Sequence, residues 1–319
     1  MKNYTKIILI NILIILSLFY FLELIVTKLN LSILKGANIN LYDLENQKFK
    51  PYVEEIQWTN KVVTGKYGER IPKKNYKYIN DESIVFIGDS VTFGDGVNEE
   101  DTFVGIIRKK LTEFNIYNFA VSGQNLRHYV RTTKNPNNIT NIKKIYVFLS
   151  LNDINMQNDI VENRSYEISS LRNIKFFQII NNFFRSKSNL YIYIKSLVLK
   201  TSEMYFWYDF NLYKEKKNLD DLSKNLLIIK QDLKYYDYNI ILLPYELQLR
   251  KDCAPEFLMP QEKIKYMLKK NQMPFLDLTE NFCDIKDHKK YFLPQDHMHL
   301  SKIGHNYLAP YLIEFINTK

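Results

Sequence analysis

Cysteine is almost missing from this chain of 319 residues, which carries only Cys253 and Cys283. No C-x-x-C pair is present, so thiol redox catalysis is not expected. No cysteine follows the N-terminal apolar run, which excludes a lipidated-cysteine anchor. In an oxidising compartment the two thiols either pair or stay buried and free, and spacing alone does not choose between them. A bridge would close a loop of roughly 30 residues and stabilise the fold by about 3–4 kcal/mol. Glycine and proline are scarce too, at nine each, and no repeat or low-complexity tract appears. Lysine, asparagine, isoleucine and tyrosine abound instead. That is the bias of an AT-rich coding background, so a single lysine or asparagine carries little meaning.

Histidine numbers only five. His297 and His299 stand close, but no Cys, Glu or third His lies at ligand spacing nearby, so no metal site is expected. The basic and aromatic motifs of nucleic-acid modules are missing as well. The net charge of +9 therefore does not argue for a nucleic-acid partner. It has two other readings: attraction to anionic lipids or acidic glycans beside a membrane, or codon bias alone.

Apolar residues are plentiful. They make up 46% of the chain against 25% charged, enough for one good-sized core and an appendage. Lys2 and Lys6 precede an apolar run that continues from Ile7 to about Val26. About 20 helical residues span about 30 Å, the thickness of a bilayer core. Asn11 and Ser17 interrupt it tolerably, and Glu23 falls near one interface. A cleavable signal peptide would have a shorter apolar stretch and a small-x-small site, which Lys35-Gly36-Ala37 matches poorly. Residues 1–30 therefore read as an uncleaved transmembrane anchor. Lys2 and Lys6 favour a cytoplasmic N-terminus, a bias that Lys28 and Lys35 weaken. The expectation is a single-pass membrane protein with its main domain outside the cytoplasm. Residues 31–81 read as a linker or pre-domain segment, with a small hairpin over Lys61–Gly68. Residues 82–319 read as the main domain.

Ile84-Val85-Phe86-Ile87 has the character of a buried parallel strand. Gly88-Asp89-Ser90 follows it directly, ahead of Val91-Thr92-Phe93-Gly94-Asp95-Gly96-Val97. A sharp turn at the end of a rigid strand presents a serine hydroxyl, but that hydroxyl is a poor nucleophile without a base. Asp296-His297-Met298-His299 near the far end supplies one. Asp296 and His299 are three apart, so one helical turn places them on the same side. A carboxylate on one imidazole nitrogen fixes the tautomer and leaves the other to take a proton.

Asp101 reads as a helix N-cap. Phe103, Val104, Ile106, Ile107, Leu111 and Phe114 mark the inner face of a helix ending near Asn115. Ile84 to Val121 is then a parallel α/β unit with a right-handed crossover. Ile116–Val121 leads into Ser122-Gly123-Gln124-Asn125, and Ile145–Leu149 into Ser150-Leu151-Asn152-Asp153. Functional groups of open α/β sheets gather at such carboxyl ends. The amides of Ser90, Gly123 and Asn152, aimed at one point, would form an oxyanion hole worth about 3–4 kcal/mol per donor. Each also has a plain alternative as an ordinary turn or strand-end residue. Asp89 and Asp153 read as loop braces, and His297 and His305 as structural or surface histidines.

These four blocks, in this order, resemble the SGNH (GDSL-type) hydrolases: GDSVTFG, the Gly123 segment, SLND and DHMH. The resemblance runs from about Ser83 to Ala309, with the middle poorly covered. It implies an α/β fold, a three-layer α/β/α sandwich around a central parallel sheet (flavodoxin-like). It implies Ser90 as nucleophile, Asp296 and His299 completing a triad, and Ser90, Gly123 and Asn152 as the oxyanion hole. One departure is that Ser150 stands where the third block usually has glycine. No cofactor is implied. The implied activity is a serine esterase removing O-acyl groups, O-acetyl among them, from a cell-surface glycan or a lipid ester. An O-acyltransferase using the same triad is the alternative, and a non-catalytic glycan-binding or assembly protein is another.

Residues 155–238 read as a helical insertion of two or three helices over the site. It is ordinary core, an acyl-binding lid or a membrane-facing surface. Leu219–Lys234 reads as a helix with Leu222, Leu226, Ile229 and Leu233 inward, and Gln261–Lys270 as another. Asn239–Pro244 and Pro274–Leu278 complete the set of strands.

Overall fold

The computed structural model describes residues 2–29, 38–58, 60–134, 139–156, 179, 183–184, 187–250, 252–294 and 296–318. Helix α1 (Lys2–Lys28) comes first. Its segment Tyr4–Lys28 is long and apolar enough to cross a membrane, and among the described residues its most apolar stretch is not buried, though Val26 near its end is. A short hairpin follows, β1 (Tyr42–Asp43) with β2 (Lys48–Phe49). Then come β3 (Glu54–Gln57), β4 (Asn60–Thr64) and β5 (Arg70–Ile71), paired as an antiparallel ribbon. The parallel region begins with β6 (Ser83–Ile87), followed by α2 (Ser90–Phe93), α3 (Phe103–Lys110) and β7 (Asn115–Asn118). It continues with α4 (Leu126–Lys134), β8 (Ile142–Leu149), α5 (Asn189–Leu199), α6 (Thr201–Leu212) and α7 (Lys216–Asp232). It closes with β9 (Asp237–Leu242), α8 (Pro255–Lys270), β10 (Phe275–Asp277), α9 (Thr279–Cys283) and α10 (Lys302–Thr318).

Eight strands form one sheet in the order β10-β9-β8-β6-β7-β5-β4-β3. The first five are mutually parallel. Their order, numbered along the chain, is the flavodoxin-like one, and the reversal of direction falls between β6 and β8. The path from β6 through α3 to β7 and the path from β7 through α4 to β8 run in opposite directions across the sheet. Right-handed crossovers therefore place α3 and α4 on opposite faces. Helix α10 packs on α3, and α7 packs on α4. Every residue of β6 is buried, as expected of a strand covered on both faces. The α/β class with a mostly parallel central sheet is thus the observed one.

The structure corrects several sequence expectations. Residues 31–81, read as a linker or pre-domain segment, contribute strands to the main sheet, the hairpin expected over Lys61–Gly68 being β4 with β5. Arg70 of β5 pairs with Asn118 of β7, so β3–β5 extend the main sheet by three antiparallel strands. These strands are two to five residues long, too short for a clear alternating pattern. The N-cap of α3 is Thr102, not Asp101: its hydroxyl accepts the Gly105 N–H at 2.9 Å. A 3-10 turn at Glu99–Asp101 takes up the preceding residues. Helix α3 ends at Lys110, since Asn115 already begins β7. The helix expected over Leu219–Lys234 is present as α7, with Leu222, Leu226, Ile229 and Leu233 buried as expected. The aromatic run over 176–180 lies outside the described residues except for Ile179.

Cys253 and Cys283 form a disulfide, with Cα atoms 5.4 Å apart. It ties the loop ahead of α8 to the end of α9. Replacing both cysteines by serine should cost about 3–4 kcal/mol of stability, the loop-closure entropy of a crosslink of this span. Denaturant unfolding of the full chain in detergent measures this, and an unchanged midpoint would contradict it.

Candidate active site

Ser90 is placed by the turn that leaves β6. A side chain at Gly88 would collide with the Thr92 hydroxyl, so glycine lets strand and helix meet this closely. Asp89 caps α2, its Oδ1 accepting the Val91 N–H at 3.0 Å. Ser90 is the first residue of that helix, where a backbone N–H has no carbonyl one turn earlier to bond. The loop beyond is held by Arg70 of β5. Its guanidinium donates to the carbonyls of Phe93 at 2.7 Å, Gly94 at 2.8 Å and Val97 at 2.7 Å. Burial pulls the Arg70 pKa down to about 10, with Asp95 opposing, so it remains cationic at neutral pH.

Asp296 and His299 do not lie on a helical turn, as their spacing suggested. They occupy an irregular loop ahead of α10. Asp296 Oδ1 accepts the N–H groups of Met298 and His299, each at 2.9 Å. This side-chain-to-backbone turn does the work of a helical one. The other oxygen, Oδ2, lies 2.8 Å from His299 Nδ1. A carboxylate only accepts, so Nδ1 carries a proton, and in the neutral imidazole Nε2 is left as an acceptor. His299 Nε2 lies 2.8 Å from Ser90 Oγ. The structure therefore brings together three residues that the sequence singled out, across 209 positions of chain.

Asn152 sits in a 3-10 turn, Leu151–Ile154, at the end of β8. Its Nδ2 donates to Asp89 Oδ2 at 3.2 Å, which places the amide beside the residue preceding Ser90. Ser150 builds that turn with Asp153 as a capping box, and the Ser150 N–H reaches Asp153 Oδ2 at 2.7 Å. The serine in the usual glycine position thus finds its own turn chemistry. Gly123 has φ +83°, a left-handed conformation that favours glycine. Its loop is tied to the turn that carries Ser90 by the Val121 N–H bonding the Gly88 carbonyl at 3.1 Å. Asp89 and Asp153 brace loops, as their types suggest. His297 packs against the rings of Tyr205 and Tyr245 at 5.1 and 5.2 Å. His305 is wholly buried and accepts the Phe103 N–H on Nδ1 at 3.1 Å.

Sequence reasoning missed four groups at this site. Trp58, in the β3–β4 turn, packs its ring 5.2 Å from the His299 ring. Arg70 holds the loop after Ser90. Tyr245 accepts the Asn152 N–H at 3.0 Å and donates its hydroxyl to Asp209 at 3.1 Å. Asp95 is buried near His299, facing Arg70, Gln57 and Ser122. None belongs to a motif that names its role. The one signal for Trp58 is rarity, since the chain has only two tryptophans.

The charges are arranged around His299. Burial alone would depress its pKa, but the Asp296 charge and hydrogen bond, with Asp95 and Asp89 behind, outweigh it and hold the imidazole up to about 9. Burial would likewise raise Asp296, but the His299 charge and hydrogen bond hold its carboxyl well below the usual carboxylate range. Asp95 goes the other way: burial pushes it up to about 6, opposed by His299 and Arg70. Burial, with Arg70 and His299, drives His305 down to about 3, so it stays neutral.

No family model matches the sequence, and no curated protein matches it. Solved structures do. One is a member of the lipolytic protein G-D-S-L family from Veillonella parvula DSM 2008, 14% identical with a TM-score of 0.45, covering 75% of this chain and 100% of that one. Another is a lipase/acylhydrolase from Enterococcus faecalis, 12% identical with a TM-score of 0.46, covering 74% and 96%. A third is an acetyl xylan esterase from Geobacillus stearothermophilus, 16% identical with a TM-score of 0.43, covering 74% and 95%. Likeness this distant carries no argument about function.

An NMR titration of the histidine ring nitrogens should give His299 an apparent pKa near 9. Asp95→Asn should lower it, because a negative charge beside the imidazolium is removed. A His299 value at or below the ordinary 6.5 in the unsubstituted protein would contradict this arrangement.

Proposed function

We propose that this chain is a membrane-anchored serine esterase of SGNH type. The observation that carries the reading is the continuous contact from Asp296 through His299 to Ser90, with both hydrogen-bond distances at 2.8 Å. Ser90 Oγ attacks an ester carbonyl while His299 Nε2 takes its proton. The carbonyl oxygen becomes an oxyanion facing the Ser90 N–H, the Gly123 N–H and the Asn152 side-chain amide. His299 returns the proton to the leaving alcohol, which departs and leaves an acyl-serine. A water molecule, deprotonated by His299, then attacks that acyl group. The acid leaves and Ser90 regains its proton. Asp296 holds the Nδ1–H tautomer and stabilises the imidazolium. Residues 1–30 anchor the enzyme with its N-terminus in the cytoplasm and its main domain outside, where an O-acylated glycan or lipid ester is the substrate.

Ser90→Ala should abolish cleavage of short p-nitrophenyl esters while leaving the circular dichroism spectrum unchanged; an unaltered rate would end the assignment. Asn152→Ala should lower kcat by about 100-fold or more, and a change confined to KM would argue against the oxyanion role. His299 must be neutral to accept the serine proton. Its pKa is raised, so kcat/KM should climb from neutral into alkaline pH with an inflection near 9. A flat profile between pH values near 7 and near 9 would contradict this.

A further inference from the structure

Helix α5 carries a single charged residue, Lys195, among eleven. A soluble surface helix ordinarily keeps one polar face. Here the outward positions are apolar: Ile194, Leu197 and Val198 are exposed, Val198 by 73%. Trp207 on the neighbouring α6 is 40% exposed. Contiguous exposed apolar surface on this scale marks a contact with something other than water.

The start of α5 is fastened to α1. Glu23 Oε1 accepts the Asn189 N–H at 2.7 Å, and Oε2 accepts the Ser188 hydroxyl at 2.7 Å and the Leu190 N–H at 3.0 Å. Asn189 Nδ2 also donates to Thr27 Oγ1 at 2.9 Å. A carboxylate thus caps the N-terminus of a second helix, where the dipole and unpaired amides favour negative charge. Glu23 lies far along α1. From Tyr4 to Glu23 a helix rises about 29 Å, close to the thickness of a hydrocarbon core. When α1 spans a bilayer, Glu23 arrives at its outer edge and fixes α5 there. Lys28, Lys187 and Lys200 are exposed around this junction, a charge arrangement suited to anionic headgroups.

Helix α6 joins this patch to the candidate site. Trp207 faces outward, while Tyr205 packs on His297 and Asp209 accepts the Tyr245 hydroxyl that receives the Asn152 N–H. One helix therefore carries the exposed apolar patch on one side and the support of the site on the other.

We infer that the consecutive helices α5 and α6 are seated in the outer interface of the bilayer that α1 crosses, and that the ester reaching Ser90 is carried by a lipid of that leaflet. This rests on α1 being a retained span and on Ser90 being the nucleophile. The test uses the full chain in vesicles of phosphatidylcholine and phosphatidylglycerol. A bimane probe is attached to Val198→Cys, and for comparison to Tyr235→Cys, at the opposite end of the sheet from the site. The probe at 198 should be quenched by doxyl-labelled lipid and protected from iodide, and the probe at 235 should show the reverse. Iodide quenching at 198 equal to that at 235 overturns the seating. Separately, the double variant Leu197→Asp with Val198→Asp should slow turnover of a vesicle-borne ester by about tenfold or more, the effect of losing the burial of two large side chains. Soluble p-nitrophenyl acetate should change by less than about twofold. Equal loss on both substrates, or loss on neither, overturns the lipid-borne substrate. Fluorophosphonate labelling of Ser90 in the same vesicles separates the two readings. Labelling without lipid quenching sinks only the seating; lipid quenching without labelling sinks the serine mechanism and the substrate inferred from it.

Discussion

The contact between Ser90 Oγ and His299 Nε2 is the constraint around which the site is organised. It joins two ends of one domain, and neither end holds its geometry alone. On the serine side, the rigid element is β6, buried on both faces. The turn after it is shaped by Gly88, capped by Asp89 and pinned from outside by Arg70. On the histidine side, Asp296 does two jobs with two oxygens. One closes the backbone of the loop and the other holds the ring. A hydrogen bond to a charged group loses strength quickly with misalignment. The surrounding bonds therefore matter because they fix position.

The segment before β6 contributes more to the site than its composition suggests. Arg70 donates three hydrogen bonds to the buried backbone carbonyls of Phe93, Gly94 and Val97, the second of which also accepts the Val97 N–H. A buried carbonyl left without a partner costs about 1–3 kcal/mol. Its charge is compensated by Asp95, which is itself raised by burial. Gln57 and Tyr42 reach Ser122, next to Gly123, and Trp58 covers one side of His299. The three antiparallel strands thus form one wall of the site, and an edge of the sheet that would otherwise stand open is built from them.

The α1–α5 junction gives the N-terminal helix a structural partner as well as a length. Glu23 is an expensive residue in an apolar helix unless it is paired. Here its oxygens are used by the first turn of α5. That one carboxylate couples the apolar helix to the start of α5.

The motifs were legible because strand-end chemistry is local. The buried run followed by Gly-Asp-Ser, the two further strand ends carrying Gly123 and Asn152, and the Asp296–His299 spacing are each confined to a few consecutive residues, although they lie far apart along the chain. The parallel α/β class followed from apolar runs alternating with helical periodicity. The length of the apolar N-terminal segment was equally plain, because bilayer thickness converts directly into residue count. Tertiary structure alone decided the rest. Short strands such as β5 have no period to read, so Arg70 and Trp58 gave no sign of their neighbours. Cysteine spacing cannot say whether two Cα atoms approach, and only the packing of α8 and α9 brought Cys253 to Cys283. The loop at Asp296 kept the spacing of a helical turn but reached the same proximity through side-chain-to-backbone bonds. Residue type and local order settle which groups are available; distance between remote segments is set by how sheet and helices pack, and no local pattern encodes it.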